Sequence, residues 1–211
     1  MIAEKLPITF DVAKLQDYYR TTVKQWPAIW QNDQFGGWSI LSTSGDYADG
    51  FQQGHRYFVT ENGRSRFDYE RAHREAGFTW PKMHVNFTQV GTDYVADVIQ
   101  QIRDLHLNPH RARWTIITAN GATTWHRDMA DNLYGVRLHI PIITNPDCAF
   151  ITNEGSLHMP ADGSCYLVAV NQMHKAVNLG QAERIHIIMD VIDDTGVSQN
   201  HTLEQHLLNF V

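Results

Sequence analysis

The sequence is poor in cysteine. Cys148 and Cys165, alone in 211 residues, cannot staple a disulfide scaffold, and their spacing is not that of a metal-binding pair. Few cysteines suit a reducing compartment; a bridge between these two stays open. A surplus of positive charge is also missing. Lysine and arginine total 17 against 23 aspartates and glutamates, a net charge of −6 with no basic run, which argues against a nucleic-acid surface. No apolar run approaches the ~18 residues that would cross a membrane. Residues 1–10 lack the basic start and long apolar core of a leader. The expected setting is cytoplasmic, with no membrane partner. Internal repeats and low-complexity tracts are absent.

What is there suits one folded unit. The chain is 43% hydrophobic and 19% charged, and 211 residues can bury a good core. We therefore expect a single domain, 1–211: helical and loop support over 1–110, a β core over 111–192, and a terminal helix within 193–211. Apolar residues at Val12, Leu15, Tyr19, Val23, Trp26 and Ile29 predict a helix over 11–30, capped by Asp11 and interrupted at Pro27. Residues 35–54 read as a loop with a short strand at 38–42, where Trp38 and Tyr47 could meet a substrate or simply pin the loop to the core. Strands are expected at 56–60 and 84–90, a turn at 61–63, and a charged helical or irregular piece at 67–76. A second helix is expected at 93–106, on Tyr94, Val95, Val98, Ile99, Ile102 and Leu105. Short strands then follow at 113–118, 134–142, 149–152, 156–159, 164–170, 168–177 and 185–191, with turns at intervals that suit a jelly roll. Residues 203–210 look helical.

The chemistry gathers between Trp125 and Asp190. His126 and Asp128 are two apart, so in an extended segment they point the same way and can grip one ion. His174 is the choice for a third ligand. Two histidines and a carboxylate on one face leave coordination positions open, as in non-haem Fe(II) oxygenases. A hairpin through the turn residues Asn178 to Gln181 would set His174 roughly across from Arg184 to Ile187 and bring a guanidinium, a fork suited to a carboxylate, near the ion. On 134–142, Val136, Leu138 and Ile140 share one face. Arg137 and His139 share the other, as residues lining a polar cavity would. Each piece alone is weak: a chain with 12 histidines makes His-x-Asp pairs by chance, and a single arginine is more often a surface ion pair. The order and spacing of the set carry the reading.

That ordered set resembles the aspartyl/asparaginyl β-hydroxylase family of Fe(II)/2-oxoglutarate-dependent oxygenases, which includes proline hydroxylase-like members. The matching pieces are His126-Arg127-Asp128, Arg137-Leu138-His139-Ile140-Pro141, Asn145-Pro146, His158-Met159, Gly163, His174, Asn178-Leu179-Gly180 and Arg184-Ile185-His186. The resemblance covers about 113–190. It implies a mostly β fold with flanking helices: a double-stranded β-helix, the cupin-like jelly roll. It implies Fe(II) held by His126, Asp128 and His174, and 2-oxoglutarate held by Arg184. It further implies that Arg137 and His139 touch carboxylates of cosubstrate or substrate, and that Thr115 offers a hydroxyl to 2-oxoglutarate. The expected reaction hydroxylates an unactivated C–H bond of an amino acid or its side chain, of the Asp, Asn or Pro kind, while 2-oxoglutarate is decarboxylated to succinate and CO2. A small amino-acid-like substrate is favoured over a peptide or protein. Two other classes remain: a metal-dependent cupin enzyme that does not use 2-oxoglutarate, and a non-catalytic barrel that binds a carboxylate. Oligomeric state is not legible.

Overall fold

Period-two alternation builds the main sheet. A computed structural model of the chain describes residues 2–49, 58–61, 64–67, 85–128 and 136–193. Its strands and helices are β1 (Ala3–Thr9), α1 (Val12–Thr21), β2 (Ile29–Trp30), β3 (Phe35–Ser39), β4 (Leu41–Ser42), β5 (Phe58–Glu61), β6 (Arg64–Phe67), β7 (Asn86–Phe87), α2 (Tyr94–Arg103), β8 (Leu107–Ile117), β9 (Gly121–Ala122), β10 (Val136–Ile143), β11 (Cys148–Thr152), β12 (Gly155–Leu157), β13 (Ser164–Ala169), β14 (His174–Asn178) and β15 (Arg184–Asp193). Seven strands form one antiparallel sheet in the order β1-β13-β10-β15-β8-β3-β2, and four form a second, β12-β11-β14-β9. The fold is the expected mostly β jelly roll with flanking helices.

The outer face of the large sheet is apolar. Val136, Leu138 and Ile140 of β10, Ile185, Ile187 and Met189 of β15, and Ala112, Trp114 and Ile116 of β8 are buried in one core cluster. The helices cover that face with Leu15, Tyr18 and Tyr19 of α1 and Val95, Val98, Ile99 and Ile102 of α2. Trp114 lies at its centre, fully buried, stacked on Tyr18 and donating from Nε1 to the Val90 carbonyl at 3.1 Å. The inner face, toward the small sheet, is polar on the same three strands. Among the described residues no helix is long and apolar enough to cross a membrane.

Several expectations need revision. The first helix is capped by Asp11, whose carboxylate accepts from the Lys14 N–H at 3.1 Å, but it stops at Thr21, short of Pro27. Trp26 is already extended, as a residue before proline prefers. The first 110 residues are more than helical and loop support, because β1, β2 and β3 extend the large sheet at both edges. Trp38 is core: it is buried edge-on to Tyr19, with its indole N–H on the Trp26 carbonyl, and Tyr47 packs on Trp26. The strand foreseen over 84–90 shrinks to β7. The segment 168–177 is two strands, β13 and β14, in different sheets. No hairpin joins β14 to β15: β14 pairs with β11 and β9, and β15 with β10 and β8. Turn residues at Asn178 to Gln181 reverse the chain, and the reversal carries it from one sheet to the other. The expected elements at 68–76 and 203–210 lie outside the described residues. Both cysteines are buried and free.

Candidate active site

A cavity of about 410 Å³ opens between the sheets, lined by residues that include Arg111, Arg113, Thr115, His126, Asp128, Arg137, His139, Phe150, His174 and Arg184. The small sheet side supplies His126, Asp128 and His174. The large sheet supplies the rest by alternation: Arg113 and Thr115 on β8, Arg137 and His139 on β10, Arg184, His186 and Asp190 on β15.

His126 and His174 meet across a two-bond backbone bridge. The His126 N–H donates to the His174 carbonyl at 3.0 Å and the His174 N–H to the His126 carbonyl at 2.8 Å. Asp128 is tied down by its own N–H, 3.0 Å from the Val170 carbonyl. The three side chains converge, with one ligand atom of each within 4.8 Å of the others. Each histidine Nε2 lies 3.6 Å from an Asp128 oxygen. The Nδ1 atoms lie 2.8 Å from the carbonyls of Thr124 and Gln172. A carbonyl only accepts, so in the neutral rings Nδ1 carries the proton and Nε2 presents a lone pair, the tautomer that metal ligation requires. Two lone pairs and a carboxylate aimed at one point repel unless a cation lies among them. Metal bonds of about 2.1 Å would set neighbouring donors about 3 Å apart, a small contraction from the spacing seen. The donor set fits a divalent transition metal.

Arg137 bridges two carboxylates. Its Nε donates to Asp190 at 2.6 Å and its Nη1 to Asp128 Oδ2, leaving Asp128 Oδ1 for an ion. Burial works against ionising Asp128, but Arg137 outweighs it, helped by the two histidines, and holds the carboxyl well below the usual range. Burial likewise opposes the charge on Arg137, and the paired carboxylates more than restore it. Arg137 thus already meets two of the protein's own carboxylates through Nε and Nη1.

Arg184 differs. It is 4% exposed, and no carboxylate lies within ion-pair distance among the described residues. Its Nη2 donates to Nδ1 of His186 at 3.0 Å. That fixes the proton of His186 on Nε2, which is buried without a partner among the described residues. Burial lowers Arg184 to about 10, so it remains a cation at neutral pH. Burial, then the neighbouring Arg184, pulls His186 and His139 well below their ordinary value, and both are neutral. His139 stands edge-on to Phe150 with Nδ1 unpaired, and Phe150 stacks on His174. Thr115 lines the cavity, and its hydroxyl donates to the His186 carbonyl at 3.1 Å.

Two motif pieces prove architectural. Asn178 is fully buried at the corner between the sheets. Its amide donates to the carbonyls of Ile117, Thr118 and Ala182, and its oxygen accepts from the Gly180 N–H and Cys148 Sγ–H. Asn145 completes the corner on that oxygen, and a Cβ on Gly180 would overlap the Asn145 amide.

Sequence reasoning passed over Arg111, Arg113, Asp190 and the role of His186. The signal was present: Arg113 and Thr115 alternate with Ala112, Trp114 and Ile116, the pattern that exposed Arg137 and His139.

Comparison with known proteins agrees with this geometry. The family model described as aspartyl/asparaginyl β-hydroxylase matches residues 57–194. No curated protein matches in sequence. Among solved structures, an oxidoreductase of the 2OG-Fe(II) oxygenase family from Burkholderia pseudomallei has a TM-score of 0.55 at 12% identity, covering 95% of this chain and 88% of its own. The viral collagen prolyl hydroxylase of Paramecium bursaria Chlorella virus-1, in its 2OG complex, has a TM-score of 0.51 at 6% identity, covering 90% and 96%. At such identities these likenesses show the shared fold.

Proposed function

The chain belongs to the aspartyl/asparaginyl β-hydroxylase family, and from that premise we propose that it is an Fe(II)/2-oxoglutarate-dependent dioxygenase. Its reaction hydroxylates an unactivated C–H bond of an amino acid or amino-acid side chain of the Asp, Asn or Pro kind. One observation carries the reading: the buried guanidinium of Arg184 faces the same cavity as the His126, Asp128 and His174 cluster, with no protein carboxylate beside it among the described residues. A buried cation without a counter-ion is costly, and a ligand carboxylate would relieve it.

His126, Asp128 and His174 would hold Fe(II), and Arg184 the distal carboxylate of 2-oxoglutarate. Bound there, metal and cosubstrate would supply the oxidising chemistry with O2, one oxygen atom going to 2-oxoglutarate as it becomes succinate and CO2 and the other to the substrate C–H. The chain's own residues do the rest. Arg137 keeps Asp128 ionised and turns one of its oxygens inward. His186 offers its Nε2–H beside Arg184, and Thr115 steadies the strand that carries it. His139 presents a neutral ring to the cavity. Phe150, Val170 and Ile188 give the cavity apolar wall and limit water. Its volume, about 410 Å³, is near the low end for small-ligand clefts of roughly 300–1,000 Å³ and favours a substrate of amino-acid size. The single-domain reading of 1–211 goes with this proposal.

The test uses anaerobic protein with Fe(II). Addition of 2-oxoglutarate should raise a weak visible charge-transfer band, and oxygen should then release succinate slowly. Asp128→Ala should abolish both. Metal binding with neither signal would move the protein to a cupin chemistry without 2-oxoglutarate. Failure to bind metal would leave a carboxylate-binding barrel.

A further inference from the structure

The pairing of β8 with β15 is interrupted at one place. Ile188 faces Arg113 and Asp190 faces His110, so a single residue of β15 spans two of β8, Arg111 and Ala112. Arg111 takes φ +51° there, a conformation that disfavours an arginine, and nothing in the turn chemistry asks for it. Ala112 goes to the core, and its carbonyl accepts from the Ile40 N–H at 2.8 Å. Arg111 thus lines the cavity two residues before Arg113, at the point where the pairing with β15 is interrupted.

The Arg111 side chain is 9% exposed. Its nearest carboxylate among the described residues is Asp190, 3.7 Å away and beyond hydrogen-bonding distance, with Asp128 and the Arg137 cation farther off. Asp190 is already held at 2.6 Å by Arg137, and the Arg111 Nε has no partner among the described residues. Arg111, Arg137 and Arg184 are buried and line this cavity, and the described carboxylates beside Arg111 and Arg137 are Asp128 and Asp190. Arg137 lies between those two carboxylates and is matched by them. Along β15, Asp190 is six residues from Arg184, about 20 Å at about 3.3 Å per residue. Arg184 therefore lies toward one end of the cavity, and Arg111 lies toward the other, the end where Arg137 holds Asp128 of the metal cluster.

We propose that Arg111 anchors a carboxylate of the substrate, at the end of the cavity opposite the one Arg184 serves for 2-oxoglutarate. This rests on the oxygenase reading of the site. Arg111 presents a planar fork of donors in a buried wall, where it can take a carboxylate through two parallel hydrogen bonds. Asp190 steadies the guanidinium at long range without satisfying it. The substrate class is a molecule whose reactive C–H lies a few bonds from a carboxylate. A free amino acid and an acidic side chain within a peptide both carry such a carboxylate, and the two share the same chemistry at Arg111.

The experiment titrates anaerobic protein loaded with Fe(II) and 2-oxoglutarate by calorimetry. The probes are acetate, L-proline, L-aspartate and a blocked aspartyl tripeptide, each paired with its carboxamide. Wild type, Arg111→Gln and Arg111→Lys are compared. At least one carboxylate should bind wild type tenfold or more tighter than its amide. That preference should fall below threefold in Arg111→Gln and recover in part in Arg111→Lys. A winning free amino acid or a winning tripeptide identifies the source. Melting temperatures are read in a zwitterionic buffer free of carboxylates. Arg111→Gln should melt at or above wild type, because it removes a poorly matched buried cation while leaving the backbone conformation as it was. A variant that melts lower, or fails to fold, would make Arg111 a strut of β8 and overturn the proposal. So would the absence of any carboxylate that favours wild type over Arg111→Gln. The 2-oxoglutarate band is recorded on the same samples. Carboxylate preference without the band sinks the oxygenase reading and keeps the anchor; the band without the preference does the reverse.

Discussion

Replacing Asn178 with alanine should be among the most damaging single changes outside the metal cluster. Its amide has partners on three segments: Ile117 and Thr118 at the end of β8, Gly180 and Ala182 before β15, and Asn145 and Cys148 at the start of β11. Six such contacts at about 1 kcal/mol net each would total about 6 kcal/mol. The three donated contacts share two protons, so about 3–5 kcal/mol is the realistic cost, including that of leaving the buried Gly180 N–H without an acceptor. Urea unfolding of the metal-free protein measures it directly, as a lower midpoint at unchanged slope. Asn178→Asp sharpens the test. It turns the donating half of the amide into an oxygen facing three carbonyls, so at neutral pH it should cost more than alanine, with the excess shrinking in acid. An alanine variant that loses less than about 1 kcal/mol, or an aspartate variant at least as stable as the alanine one, would refute this account of the corner.

Other predictions concern the cavity and the core. Arg184→Ala should raise the Michaelis constant for 2-oxoglutarate far more than that for the substrate; equal effects in steady-state kinetics would count against its role. His139 and His186 are held neutral by burial, well below their free value near 6.5, so the unfolded chain takes up more protons as the pH drops past it. Stability of the metal-free protein should therefore be full above about pH 6.5 and fall below it, by about 1.4 kcal/mol per unit for each histidine. In His186→Gln, urea midpoints collected between pH 7 and 5 should show a shallower slope, and an unchanged slope would contradict the burial argument. Trp114→Ala should cost about 3–5 kcal/mol on thermal or urea unfolding while metal still binds to the folded fraction.

The parts of this protein legible in its sequence are those governed by short-range periodicity. Val136, Leu138 and Ile140 against Arg137 and His139 announced a strand with a dry face and a polar one. His126 and Asp128 announced convergence, and Asp11 a helix start. What escaped was set by distant partners. The residues around Gly180 signal a reversal, but only the pairing of β14 with β11 decides that the chain changes sheets there. Trp38 stood in a glycine-rich stretch that resembled a binding loop. Its place in the core is fixed by Tyr19 and by β8, neither near it in sequence. Arg137 was legible as a cavity residue but not as the partner of Asp190, which lies 53 positions away. Arg111 continues the alternation of Arg113 and Thr115, but its nearness to Asp190, far along the chain, has no sequence signal.

The bridge between His126 and His174 has a thermodynamic consequence. Two of the three candidate ligands are neighbours on a hydrogen-bonded ladder, and the third is pinned through its own backbone, so their spacing is set by main chain before any ion arrives. Loading is then closer to docking than to folding. In domains that metal itself must fold, binding carries the heat-capacity change of a collapsing core. An ion bound here would leave the buried apolar surface nearly unchanged. Its capture would draw free energy from bonds to donors already in place, set against the cost of stripping its hydration shell.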